Sequence, residues 1–99
     1  MLSYKERIHS YIVRNKDEIV NILKELVKIP SVRGEASPDA PFGKACAEVL
    51  EYMQMLYQEN GFETELDKEG GYLLSYYGNE AKSLGLFSHA DVVPGGDDW

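Results

Sequence analysis

The apolar positions along this 99-residue chain fall into two helical stretches followed by three shorter extended ones. Tyr4, Ile8, Tyr11, Ile12, Ile19, Leu23 and Leu26 recur at roughly helical spacing, as the inward face of an amphipathic helix does. Ser3, with Glu6 three residues on, makes a capping box at its start. Asn15 and Glu18 form a second candidate cap. The pattern allows one rod from Ser3 to Lys28 or two pieces meeting near Asn15, and a single rod with a bend is favoured. Pro30 ends it, because the residue before a proline avoids the helical region. Ser31 to Pro41 reads as a loop, and the part from Arg33 onward is linker-like, rich in Pro, Gly, Ser, Ala and Asp.

The second helix is predicted from about Phe42 to Asn60. Phe42, Ala45, Cys46, Val49, Leu50, Met53, Leu56 and Tyr57 form a clean apolar stripe. Asn60-Gly61 is a good stop. Phe62 to Leu66 then alternates with period two, as a half-exposed strand does. After a charged turn from Asp67 to Gly71, Tyr72 to Tyr77 reads as a second strand. Gly78-Asn79-Glu80 turns the chain into a third, Ser83 to Ser88. Its run from Leu84 to Phe87 is nearly all apolar, so a central strand covered on both faces is expected. The short turns predict antiparallel neighbours. The expected architecture is α/β, with two N-terminal helices packed on a small mixed sheet of about three strands.

Composition narrows the function. A hydrophobic fraction of 43% is ordinary globular material. No apolar run is long enough to span a membrane. Met1 to Arg7 carries both signs of charge and no apolar core, which argues against a secretory signal. The single cysteine, Cys46, cannot form an intramolecular disulfide and fits a reducing cytoplasm. It lies inside the helical stripe, so it reads as core rather than nucleophile. The net charge of −7 disfavours nucleic acid and anionic membrane as partners. Tyr72, Tyr76 and Tyr77 read as strand aromatics covering a sheet, since a stacking platform for single strands needs a basic groove. His9 has no set of carboxylates at ligand spacing and reads as a surface residue. Arg33 and Glu35 read as solvated, although a loop of small residues beside a site could also touch substrate.

The chemistry gathers at the end of the third extended stretch. His89 and Asp91 are two residues apart, so on an extended backbone they point the same way, with Ala90 leaving room between them. A neutral imidazole is a good zinc ligand, and a carboxylate can accept its other ring N–H and fix the tautomer. Spacing alone favours a plain hydrogen-bonded pair capping a strand end, because His-x-Asp is common by chance. Asp97 and Asp98 read as turn residues. With only these acids and one histidine in reach, a closed zinc site within this chain is not expected.

The longer string Ser88-His89-Ala90-Asp91-Val92-Val93-Pro94-Gly95-Gly96-Asp97-Asp98-Trp99 resembles the first metal-site motif of the co-catalytic zinc metallopeptidases. These include aminoacylases, carnosinase-like dipeptidases and succinyl-diaminopimelate desuccinylases. Leu26 to Glu35 is similar to that family's first helix and following loop, and Pro41-Phe42-Gly43 to the helix start of its bacterial dipeptidases. The resemblance implies that His89 is a ligand of one of two zinc ions, with cobalt or manganese as alternatives. It implies that Asp91 serves the catalytic centre by orienting His89. The bridging Asp, the general-base Glu and the remaining ligands would lie downstream. Residues 1–99 would then be the opening part of a larger catalytic domain, inactive alone. The parent would cleave a small peptide or an N-acyl amino acid by metal-activated water. The alternative is a non-catalytic α/β binding or assembly module derived from such an enzyme. Lacking the rest of its sheet, the chain would have an exposed edge or an uncovered apolar face, and either would push it to dimerise or aggregate.

Overall fold

The first helix starts where its capping signal predicts. In the computed structural model, which describes residues 1–96, the Ser3 amide donates to Glu6 Oε2 (2.8 Å) and the Glu6 amide donates to Ser3 Oγ (3.2 Å). Two of the four free N–H groups of a helix start are thereby satisfied. Asp97, Asp98 and Trp99, the end of the motif above, lie outside the described residues.

Helix α1 spans Tyr4–Arg14 and α2 spans Lys16–Lys28, so the single rod is replaced by two pieces meeting at Asn15. The Asn15 side chain does not cap α2. It turns back, and its Nδ2 donates to the Tyr11 carbonyl at 2.8 Å. The break is only one residue long. The Asn15 amide still reaches Tyr11 O, and the Ile19 amide reaches Asn15 O. Ile29 leaves α2 in an extended conformation before Pro30, as the proline requires.

Helix α3 covers Lys44–Glu59. Cys46 and Val49 are buried on it, and Ala45, Leu50, Met53, Leu56 and Tyr57 are half-buried along the predicted stripe. Phe42 lies in the turn before the helix, under the Arg33 guanidinium at 5.5 Å from its ring centre. Strands β1 (Glu63–Asp67) and β2 (Tyr72–Tyr76) form an antiparallel hairpin. Its register pairs Glu63 with Tyr76, Glu65 with Leu74 and Asp67 with Tyr72. These residues share the exposed face, apart from half-buried Asp67. Thr64, Leu66, Leu73 and Ser75 alternate with them on the other. The hairpin is held to α3, where Gln54 and Gln58 both donate to Thr64 Oγ1 at 3.1 and 3.0 Å.

Two further expectations are overturned. The run Ser83 to Ser88 is not a strand, and it is not covered. Leu84, Leu86 and Phe87 are 84%, 87% and 98% exposed. A strand exists through its neighbours' hydrogen bonds, and among the described residues the sheet is the β1–β2 hairpin alone. Nor do α1 and α2 pack on that sheet. Neither helix has a fully buried residue, and Ile8, Tyr11, Ile12 and Leu23 are exposed. The buried apolar core among the described residues is Ala40, Cys46 and Val49. The accessible surface, 8840 Å², is about half as large again as the roughly 5,700 Å² of a compact monomer of this mass. The radius of gyration, 16.1 Å, exceeds the ~13 Å of a compact domain of this length. No helix among the described residues is long and apolar enough to cross a membrane.

Gly43 secures the entry to α3. Its φ is +102°, and a Cβ there would sit 2.7 Å from the Gly34 nitrogen and 2.8 Å from its Cα. Gly78 also has positive φ, +83°, but a Cβ there would meet nothing within 4 Å. Gly43→Ala is therefore expected to cost roughly 2–4 kcal/mol, and Gly78→Ala only the ~1 kcal/mol of an unfavourable φ. Urea denaturation of the two variants measures the difference. Equal midpoints would mean that the Gly34–Gly43 approach does not hold the loop to the helix.

Candidate functional site

The segment that carries His89 and Asp91 is fastened at one point. Ser31, directly after Pro30, is 2% exposed. Its hydroxyl donates to the Ala90 carbonyl at 3.0 Å. Its carbonyl accepts the Val92 N–H at 3.0 Å and the Cys46 thiol at 3.4 Å. A parallel bridge pairs Val32 with Val92. Ser31 thus grips the peptide units on both sides of Asp91 and ties them to α3 through Cys46. The loop 31–41 takes part in the site through its first residue. Arg33 and Glu35 are exposed, as expected.

His89 and Asp91 are brought together. His89 Nδ1 lies 3.0 Å from the Asp91 carbonyl oxygen and 3.3 Å from Asp91 Oδ1. A carbonyl can only accept, so Nδ1 carries the proton and donates. The neutral ring then presents a bare lone pair at Nε2, the form a metal ligand needs. The backbone carbonyl shares with the carboxylate the orienting role expected of the carboxylate alone. Both side chains remain open to water, at 85% and 59% exposure. The hollow lined by Pro41, Phe42, Cys46 and Leu66 lies between α3 and the hairpin and does not include His89.

One imidazole with its orienting partner fits one corner of a metal centre and not a whole one. A catalytic zinc takes three protein ligands. Among the described residues no group of three His, Cys, Asp or Glu is placed to hold an ion. Cys46 is not a free nucleophile. Burial raises its thiol pKa above the ordinary value, and the nearby Asp91 charge adds to the rise against a smaller opposing effect of Arg33. Sequence reasoning missed Ser31 as a site residue. Its only local signal was a small polar residue after the proline that ends a helix.

No family model matches the chain. Similarity to individual proteins is found. One relative, named "Putative dipeptidase", from Staphylococcus aureus (strain USA300), is 39% identical over 99 residues, an alignment that takes in 97% of this chain and 20% of the relative. Relatives of the same description from strains NCTC 8325 and MRSA252 give the same figures. The chain therefore spans about a fifth of the length of the curated relatives it matches. Over that shared segment it is dipeptidase-like.

Cys46 reports on the fastening. Alkylation of its thiol at mildly alkaline pH is expected to be roughly tenfold or more slower in the native chain than in urea. Equal rates, followed by mass spectrometry, would show that the contact between α3 and Ser31 is not maintained in solution.

Proposed function

We propose that this chain is the N-terminal part of a zinc-dependent dipeptidase or related amidohydrolase. Its substrate class is a small peptide or an N-acyl amino acid. The observation that carries the reading is the His89–Asp91 pair, with Nδ1 3.0 Å from the Asp91 carbonyl oxygen, inside a segment 39% identical to proteins named "Putative dipeptidase". His89 would hold one corner of a zinc, cobalt or manganese site, and such an ion would supply Lewis-acid activation of water and of the scissile carbonyl. This chain's own part is narrower. His89 offers one ligand nitrogen, and Asp91 holds the ring in the tautomer that makes it one. The remaining ligands and the general base belong to polypeptide beyond this segment, so residues 1–99 alone are inactive. A cytoplasmic setting agrees with the single free thiol.

Reading the coding sequence past the Trp99 codon tests the proposal first. The expected continuation has a Gly-rich stretch carrying an Asp, then a Glu-Glu pair and a later His. A stop codon there rejects the catalytic reading for this chain. In the polypeptide that such a frame encodes, His89→Ala is expected to abolish binding at one of two zinc sites. Asp91→Asn is expected to weaken it by about tenfold, the lower end of the usual effect of a ligand's orienting partner, because the Asp91 carbonyl still accepts. Calorimetric zinc titration measures both, and wild-type affinity in His89→Ala would remove the histidine from the metal site.

The exposed apolar surface favours a second reading, a non-catalytic module that binds or assembles through it. Sedimentation velocity over a range of concentrations tests the uncovered surface of the 99-residue chain: a monomer at every concentration counts against an incomplete domain, and self-association agrees with one without establishing the module.

A further inference from the structure

The bonds around Ser31 reach the histidine through a single peptide unit. The amide between Asp91 and Val92 donates its N–H to the Ser31 carbonyl at 3.0 Å. Its C=O, the Asp91 carbonyl, faces His89 Nδ1 at 3.0 Å. The preceding unit is held as well, because the Ala90 carbonyl accepts from Ser31 Oγ at 3.0 Å. A residue gripped at both flanking peptides cannot rotate its carbonyl away without breaking a bond in a buried place, and a buried hydroxyl left unpaired is costly. His89 itself has little else to hold it, with a side chain 85% exposed.

The geometry points to Ser31 as a positioning residue. It fixes the Asp91 backbone, and through it holds the His89 imidazole in the Nδ1–H tautomer with Nε2 bare. This rests on the reading of His89 as a ligand. The residue makes no hydrogen bond to the ring, and its effect passes through the 91–92 peptide. Pro30 and Cys46 complete the device. Pro30 ends α2, the Val32 N–H closes a tight turn on the Pro30 carbonyl at 2.7 Å around Ser31, and the Cys46 thiol donates to the Ser31 carbonyl at 3.4 Å.

The test uses the 99-residue chain with 15N-labelled histidine, at a pH where imidazole is neutral. The ratio of Nδ1–H to Nε2–H forms is read from the ring nitrogen shifts. His9, exposed on α1, serves as the internal reference for an unheld ring. In the wild type the Nδ1–H form of His89 should exceed that of His9. Ser31→Ala should lower the His89 ratio by roughly fivefold, the size expected for one lost intramolecular hydrogen bond. Val49→Ala, which weakens the core without touching these bonds, should leave the ratio unchanged. An unchanged ratio in Ser31→Ala overturns the proposal, and so does an equal fall in Val49→Ala. Should Ser31→Ala fail to fold, Ser31→Cys decides, because the weaker thiol donor should give a smaller fall in the same direction and no fall overturns the proposal. The readout needs no metal and no downstream polypeptide. A stop codon after Trp99 would sink the dipeptidase reading and leave this ratio where it is.

Discussion

A buried polar group left unbonded is costly, and Ser31 is the fully buried polar residue among those described. Its hydroxyl and its carbonyl are both out of reach of water, and both take partners from one short segment, Ala90 and Val92. Those bonds fix a stretch that is otherwise exposed and without regular structure. The relation between His89 and Asp91 depends on this more than on any property of the two residues. Two side chains two apart on an extended backbone share a side, but they need not share a proton. Here the Asp91 carbonyl is held in place from behind, so the ring N–H has a fixed acceptor.

The same segment shows the cost of apolar surface without a neighbour. Leu84, Leu86 and Phe87 have the composition of a strand covered on both faces, yet they stand in water. Backbone pairing is what turns such a run into a strand, and the hairpin ends at Tyr76. Helices α1 and α2 are in a similar state. Their amphipathic pattern is real, but the surface it would cover is not supplied by the hairpin, which is already engaged with α3. Hydrophobic burial is the main favourable term in folding, so a chain with a large exposed apolar surface draws most of its order from local hydrogen bonding and one small core. That core includes Cys46, whose thiol is also the anchor for Ser31.

Features that depend on near neighbours were legible in the residues. The capping box at Ser3 and Glu6, the stop at Pro30, the stripe on α3 and the alternation in β1 each involve groups a few positions apart, and each is present. Asn15 marks where such reasoning stops being sufficient. Its side chain could cap the helix ahead or return to the one behind, and both are local. The geometry of the bend sends it back to Tyr11. Ser31 lay further out of reach. Its partners are 59 residues away at Ala90 and 15 away at Cys46, and no periodicity connects positions so far apart.

The residue order alone marked the helical stretches, the hairpin and the candidate residues His89 and Asp91, but it joined α1 and α2 into one rod and added a third strand. The helical and extended patterns repeat within a turn or two, and side-chain chemistry does not depend on distant contacts. It could not specify which apolar faces would be covered, because burial needs a second surface and that surface is set by packing. Nor could it specify the acceptor of the histidine proton. That depends on a peptide unit gripped by a buried serine on the far side of the fold.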